Sequence, residues 1–296
     1  MKLKYYGTAA AEGFPAMFCE CQHCKQAWSA GGKNIRTRSQ ALVDGILLID
    51  FPADTLAHIF YGGLPLTKIH DCIITHTHQD HYYPEDLANR QNGYAFGERP
   101  ELGEENTVEQ DNSTVPDTLG TLTVHGSYAV GELFTPINQN NQLYIKSRVV
   151  FREVSAFMPF AAAGFLVTPL LAQHPSCPSP FIYLIEKEGE TILYGNDTGW
   201  YPNETWDYLE KTRPHIRIAS FDCTDGLADS RTGHMGLPCV IETRNRLIEL
   251  GCIDSGTICI IHHFSHTGRL TYDEIKPLAE KNGFAVSYDG MEVSSI

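Results

Sequence analysis

Short apolar segments recur along the chain, and several are separated by stretches whose spacing of apolar residues favours helices. Apolar runs of about four to eight residues between turn residues indicate strands. The predicted strands are 2–7, a pair within 41–50, a run ending at Ile74, 149–154, a run from Phe165, 181–186, 191–194, 216–221, 257–261 and 284–288. The predicted helices are 54–61, 203–211, 238–250 and 271–282. This alternation of strands and helices predicts an α/β fold.

The segment from 91 to about 142 interrupts this alternation. Five glutamates gather between 98 and 109, and apolar periodicity is weak until 122–124. We expect a single domain over 1–296, with an exposed insertion at about 91–142 that holds one or two small strands. The insertion forms either a rim over a site or a solvated acidic surface, and most charge runs are the latter.

Composition narrows the range of partners. The chain has 296 residues, 42% of them hydrophobic, and a formal charge of -14 with a pI near 5.3. An acidic surface without a dense Lys/Arg cluster repels polyanions, so we expect no nucleic-acid partner. The first residues lack the apolar core of a signal peptide, and no apolar run approaches the ~20 residues of a membrane-spanning helix. We therefore expect a cytoplasmic protein without a membrane partner.

The richest motif follows the apolar residues Cys72, Ile73 and Ile74 and has the pattern H-x-H-x-D-H. Its members are His76, His78, Asp80 and His81. Imidazole suits zinc, iron and manganese, and a carboxylate adds charge and a hard oxygen. Four such donors within six residues can serve two adjacent metal ions, which predicts a metal site on the loop after a strand.

Three more apolar segments end in residues of the same kind, namely His174, Asp197 and His263. Alone, a histidine such as His174 is usually a satisfied core residue, and Asp197 has the surroundings of a turn residue. Because α/β folds place ligands at the carboxyl ends of their strands, the common placement favours one convergent site.

Three cysteines near the amino terminus form a C-x-C-x-x-C cluster of Cys19, Cys21 and Cys24. Three neighbouring thiolates suit one tetrahedral zinc ion that lacks a fourth ligand. His23 is the nearest candidate, and a remote residue is equally compatible with the pattern. The other six cysteines are scattered, which is typical of reduced buried thiols.

The H-x-H-x-D-H motif after an apolar strand resembles the signature of the metallo-β-lactamase fold superfamily. The resemblance implies a four-layer αββα sandwich with a dinuclear metal site at one edge. It assigns His76, His78 and His174 to one ion, and Asp80, His81 and His263 to the other. Asp197 would bridge the two ions.

The cysteine cluster and the late H-x-S-H motif together resemble the phosphoribosyl cyclic phosphodiesterase family of phosphonate degradation. By this resemblance His266 is the fourth ligand of a structural zinc ion with the three cysteines. His234, in the glycine-flanked segment Gly233-His234-Met235-Gly236, would be the general acid, and Asp80 would belong to the catalytic centre. The implied activity is hydrolysis of a small or cyclic phosphodiester by hydroxide held between two ions. A homodimer is a further expectation from the family.

Other interpretations share these motifs. The same dinuclear site hydrolyses thioesters or lactones in related enzymes, and a relative from pyrroloquinoline quinone biosynthesis has the cysteine cluster with a non-hydrolytic role. The catalytic ions are zinc or manganese, with iron as a further alternative. Asp50 either orients a ligand histidine or caps a helix. Asp222 and Asp225 either hold His234 or are ordinary turn residues.

Overall fold

The computed structural model describes residues 1–90, 120–141, 143 and 148–295. Within these ranges the strands form two seven-stranded sheets. The strands are β1 (Lys2–Gly7), β2 (Gln40–Val43), β3 (Leu47–Ile49), β4 (Asp71–Ile73), β5 (Leu122–Gly126), β6 (Val149–Glu153), β7 (Phe160–Ala162), β8 (Phe165–Leu171), β9 (Phe181–Lys187), β10 (Glu190–Gly195), β11 (Ile216–Asp222), β12 (Ile258–His262), β13 (Ala285–Val286) and β14 (Glu292–Ser294). The helices are α1 (Gln22–Ala30), α2 (Thr55–Gly62), α3 (Tyr128–Asn141), α4 (Asn203–Thr212), α5 (Leu237–Glu249) and α6 (Tyr272–Lys281). Short 3₁₀ helices span Gly32–Asn34, Leu66–Lys68, Pro84–Arg90 and His266–Gly268.

Each of the two sheets contains four consecutive parallel strands. The first has the strand order β14-β1-β2-β3-β4-β5-β6, and the second has the order β13-β12-β11-β10-β9-β8-β7. In the first sheet β3, β4, β5 and β6 are parallel. In the second sheet β10, β11, β12 and β13 are parallel. Parallel strands place their carboxyl ends at one edge, where loops carry ligand-binding residues.

Three apolar clusters separate four layers. One cluster lies between the sheets and joins residues such as Ile49 and Ile73 of the first sheet to Ile192 and Ile218 of the second. A second cluster covers the outer face of the second sheet with α4, α5 and α6. A third covers the outer face of the first sheet with apolar residues from α3 and the segment after α2. Strands buried on both faces need continuous apolar runs, which is the pattern seen in the sequence. The predicted αββα sandwich is confirmed.

The second half of the predicted insertion is part of the sandwich. Residues 91–119 lie outside the described residues, whereas β5 pairs in parallel with both β4 and β6. Leu122 and Val124 of β5 are buried, and Val130 and Phe134 of α3 pack in the same cluster. The extension of the insertion to 142 is therefore wrong. The apolar positions of 122–134 are too few and too close to the acidic segment to stand out as strand and helix.

In the described part of the chain, no helix has both the length and the apolar character needed to cross a membrane.

Candidate metal centre

The first donor group lies where β4, β8 and β10 end. It combines His76, His78, His174 and Asp197, whose ligand atoms lie within 4.8 Å of one another. His78 Nδ1 is 3.1 Å from His76 Nε2 and 3.2 Å from His174 Nε2. Oδ2 of Asp197 lies 3.5 Å from His76 Nε2. The side chain of His78 is partly exposed, while the other three are buried. The structure therefore brings together the residues predicted for one ion.

The second donor group is fully buried and shares Asp197 with the first. It contains Asp80, His81, His263 and Asp197. His81 Nε2 lies 3.2 Å from Asp80 Oδ2 and 3.1 Å from His263 Nε2. Asp197 Oδ2 is 3.5 Å from His81 Nε2 and 3.6 Å from His263 Nε2. One carboxylate oxygen of Asp197 thus faces both groups.

These separations fit metal coordination. A tetrahedral ion about 2.0–2.1 Å from each donor places its donors roughly 3.3–3.4 Å apart. Nitrogen pairs such as His76 and His78 lie at 3.1 Å. The buried Oδ1 of Asp197 lies 2.7 Å from His234 Nδ1, and its Oδ2 lies between the two donor groups. The donor set therefore suits two divalent ions that share Asp197.

Asp50 holds one of the ligand rings from behind. Its Oδ2 lies 2.7 Å from His81 Nδ1, and its Oδ1 accepts hydrogen bonds from the backbone N–H and hydroxyl of Thr75. A carboxylate on the outer nitrogen fixes the ring so that Nε2 faces the ion. Of the two interpretations left open by the sequence, the structure favours the orienting role for Asp50, and no side-chain cap joins Asp50 to α2.

Asp222, the last residue of β11, contacts the His234 ring directly and the His263 ring through Thr224. Thr224 Oγ1 lies 2.8 Å from His263 Nδ1 and donates to Asp222 Oδ2. The same Oδ2 is 3.1 Å from His234 Nδ1. The backbone N–H of Met235 donates to Asp222 Oδ1. Asp222 thus contacts His234, whereas Asp225 makes backbone hydrogen bonds, donating to the Met235 carbonyl and accepting from the Ala228 N–H.

The pKa directions show where the site accepts a cation. Burial lowers the pKa of His76 well below its usual value, and the neighbouring His81 lowers it further. Burial also opposes a charge on His81, but the Asp80 and Asp50 carboxylates raise its pKa well above the usual value. Burial would raise the pKa of Asp80, yet His81 and His263 keep it well below its usual value. The carboxylates of Asp80 and Asp50 thus favour positive charge at the second donor group.

The cysteine cluster meets a histidine from the other end of the chain. The ligand atoms of Cys19, Cys21, Cys24 and His266 lie within 4.8 Å of one another, and Cys21 Sγ is 4.0 Å from His266 Nδ1. The backbone N–H of Cys24 and the His266 ring lower the pKa of the Cys21 thiol to about 6. Thiolates are the ligands that zinc prefers in structural sites. His266 therefore completes this group, and His23 does not.

Comparison of the whole structure with known proteins identifies the fold. No family model matches the sequence, and no curated protein matches it either. A diphosphatase from the PhnP family superposes with a TM-score of 0.70 and 18% identity, covering 99% of this chain and 97% of that one. Zn²⁺-bound PqqB from Methylobacterium extorquens has a TM-score of 0.69 and 18% identity, with 99% and 100% coverage. YhfI from Bacillus subtilis, a metallo-β-lactamase fold protein, has a TM-score of 0.65 and 19% identity, with 99% and 98% coverage.

The chain has the metallo-β-lactamase fold. In this fold the donors come from loops after strands of both sheets, which is why four separate stretches of sequence converge here. The supporting residues Thr75 and Thr224 were missed, because a single threonine carries no spacing signal. Asp50 and Asp222 were found as candidates because each ends a predicted strand.

Proposed function

We propose that this protein is a metal-dependent hydrolase that cleaves a small phosphodiester. The observation that carries the proposal is the sharing of Asp197 by two complete donor groups. Each group has enough nitrogen and carboxylate donors for one ion without using the others' histidines. The similarity to a PhnP-family diphosphatase supports phosphorus chemistry over carbonyl chemistry.

The ions would be held by His76, His78 and His174 on one side, and by Asp80, His81 and His263 on the other, with Asp197 between them. When bound, a pair of divalent ions lowers the pKa of water and offsets negative charge on phosphate oxygens. The chain supplies the geometry. Asp50 holds His81, and Thr224 holds His263, through the ring nitrogens that face away from the ions.

His234 is placed to give a proton to the leaving group. Its ring is stacked on His263 with centroids 5.6 Å apart, and its side chain is 29% exposed, so it borders both the donors and solvent. Nδ1 lies 2.7 Å from Asp197 Oδ1 and 3.1 Å from Asp222 Oδ2, while Nε2 makes no hydrogen bond to the described residues. Burial lowers the pKa of His234, but the Asp222 and Asp197 carboxylates raise it to about 11. Nε2, which makes no hydrogen bond to the described residues, is the nitrogen from which the proton would be donated.

The negative charge of the protein favours a small substrate with little charge of its own. At -14 the chain repels long polyanions, whereas a small diester has one negative charge that a pair of ions offsets. A thioester or lactone would use the same donors, so the substrate has to be decided by experiment.

The deciding experiment measures metal content and hydrolysis of bis(p-nitrophenyl) phosphate on the same samples of wild type and Asp80→Ala. We expect the wild type to bind more than two ions per chain and to cleave the diester. Removing a contact to a ligand already costs 10–100-fold, so loss of the ligand Asp80 should cost at least about 10²-fold in activity. Asp207→Ala, an exposed aspartate on α4, is the matched control and should keep full activity.

The possible results separate the parts of the proposal. Wild type that binds ions and hydrolyses thioesters or lactones, but not the diester, would make the substrate class wrong and leave the hydrolase. Wild type that binds no ion at the histidine groups would end the hydrolase proposal altogether.

A further inference from the structure

The segment that carries His234 is attached to the metal centre through the residue before it. The backbone N–H of Gly233 donates to Gln173 Oε1 over 2.7 Å. The carbonyl oxygen of Gly233 lies 3.0 Å from His174 Nδ1, which donates to it. Since His174 Nε2 faces the first donor group, this hydrogen bond also gives His174 the tautomer that a ligand needs. Both polar groups of the Gly233 backbone are therefore held by the end of β8.

Gln173 joins three segments that meet at the site. Its backbone N–H donates to Thr198 Oγ1 over 2.8 Å, and its carbonyl accepts from the N–H of Gly199 over 3.0 Å. These residues directly follow Asp197. A Cβ on Gly199 would lie 2.5 Å from Gln173 Oε1 and 2.2 Å from the carbonyl oxygen of Arg231, so only glycine allows this approach. The ends of β8 and β10 and the His234 segment thus converge on one glutamine.

Other contacts of the segment around His234 do not involve the Gly233 backbone. Asp222 holds the His234 ring and the Met235 backbone, which positions the ring from the β11 side. The ion pair of Arg231 with Glu242 is exposed, and exposed pairs contribute little. The N–H of Trp200 donates to the carbonyl of Arg231, two residues before Gly233. The His234 ring is placed by Asp222 and by Asp197, whose Oδ1 lies 2.7 Å from His234 Nδ1. The backbone of Gly233, one residue earlier, is held by Gln173 and His174.

We propose that Gln173 is a positioning residue, which sets the distance between His234 and the metal centre by holding Gly233. The kinetic part of this inference rests on the proposed function, since it concerns proton donation to the leaving group. Gln173 itself needs no contact with substrate. Its effect should appear only where a proton from His234 is needed, and it should leave the metal donors in place.

The test compares Gln173→Met, which has similar size but no acceptor for Gly233 N–H, with Gln173→Glu, which keeps an acceptor oxygen. The substrates are methyl aryl phosphodiesters with p-nitrophenol or phenol as the leaving group, because phenol needs protonation far more than p-nitrophenol. We expect His234→Ala to slow the phenyl ester by about 10²–10⁴-fold. Gln173→Met should slow it roughly 10-fold, with Gln173→Glu largely restoring the rate and all three variants keeping the wild-type metal content.

The double variant Gln173→Met/His234→Ala decides whether the two residues act together. If Gln173 acts through His234, the double variant is no slower than His234→Ala alone. Equal slowing of both esters by Gln173→Met, or losses that multiply in the double variant, would overturn the proposal.

Hydrogen exchange of the metal-loaded protein supplies a measurement that needs no substrate. The Gly233 amide should exchange faster in Gln173→Met than in wild type, and Gln173→Glu should slow it again. If the wild type cleaves neither ester, the phosphodiesterase proposal fails while this measurement still tests the contact. Unchanged exchange at Gly233 in Gln173→Met would overturn the positioning role of Gln173 whatever the substrate.

Discussion

Two residues at the metal centre have positive φ angles, which residues other than glycine rarely adopt. Asp50 has φ +66° and His263 has φ +62°. Such residues cost about 1–3 kcal/mol each and persist where surrounding contacts determine them. Asp50 makes hydrogen bonds to Thr75 and His81, and His263 is held by Thr224. These contacts place the His81 and His263 rings with their centroids 5.1 Å apart and their Nε2 atoms 3.1 Å apart.

We predict that Asp50→Asn weakens binding of the ion held by His81. An amide opposite His81 Nδ1 cannot accept as a carboxylate does, so the ring loses its fixed tautomer and some basicity. The expected loss of metal affinity is about 10–100-fold, measured by competition with a chelating indicator. Asp44→Asn is a matched control, because Asp44 also has a positive φ, of 49°, but lies at the β2–β3 turn. Equal losses in both variants would show that the contact to His81 was not responsible.

The sequence identifies ligands more readily than the residues that hold them. The metal donors follow apolar strands in a recognisable order, and the structure brings all seven of them together. The role of Gln173 could not be predicted from the sequence. Its partners Thr198 and Gly233 lie 25 and 60 positions away, and no sequence motif marks such a glutamine. Contacts of that kind appear only when the fold is known.

At the scale of elements, a buried histidine fastens α2 to the first sheet. His58 Nδ1 lies 2.6 Å from Gln40 Oε1 of β2, and its Nε2 lies 2.8 Å from Thr37 Oγ1. Burial lowers the pKa of His58 from 6.5 to about 4, against the opposing effect of Asp54. The folded protein therefore takes up this proton less readily than the unfolded chain.

The depressed pKa of His58 makes the stability of the folded protein depend on pH. Because the folded pKa lies below the unfolded one, stability from neutral His58 is complete above pH 6.5 and is lost as the pH falls toward 4. Between pH 7.5 and 5 the wild type should lose about 2 kcal/mol through this group. His58→Gln lacks that loss, so the gap in free energy of unfolding between wild type and variant should narrow by this amount. Urea unfolding at both pH values measures it, and a gap that stays constant or widens would contradict the prediction.

Elements were predictable where their apolar pattern was long enough. The hairpin of β9 and β10 and the helices α4, α5 and α6 agree with the predicted ranges to within about one residue at most ends. Helix α1 was missed, because only Cys24 and Ala27 of its nine residues are buried, which leaves little periodicity. Strand β14 has three residues and is recognisable only from its pairing with β1.

At the scale of the whole molecule, contacts join the beginning of the chain to its end. β1 pairs with β14, and the backbone of Tyr5 bonds to Met291 and Gly290. The cysteine group adds a second closure, since it joins a loop near residue 21 to His266, 245 positions later. An ion held by these four side chains would add its binding free energy to that of folding, because the site does not exist in the unfolded chain.

We predict that Cys21→Ser loses one equivalent of zinc and becomes less stable. Cys21 is also the N-cap of α1, where its Sγ accepts from the N–H of Cys24. Serine is a good N-cap, so the variant keeps the cap and removes mainly the metal ligand. For an ion bound at about 1,000 times its Kd the lost stabilisation is about 4 kcal/mol, which corresponds to a fall of roughly 7 °C in Tm for a chain of this length.

Loss of the zinc ion in Cys21→Ser should also weaken binding of one catalytic ion, because His266 lies close in sequence to the ligand His263. His263 lies three residues before it, and Ser265 between them donates to Glu12, on the loop that precedes the cysteines. Losing the zinc frees this segment, so the ion on His263 should become easier to remove while the ion on His174 keeps its affinity. Stepwise chelation followed by elemental analysis distinguishes the two, with Cys239→Ser, a buried thiol of α5 outside the donor groups, as control. A Cys21→Ser protein that retained all its zinc would show that the cysteine group does not bind it.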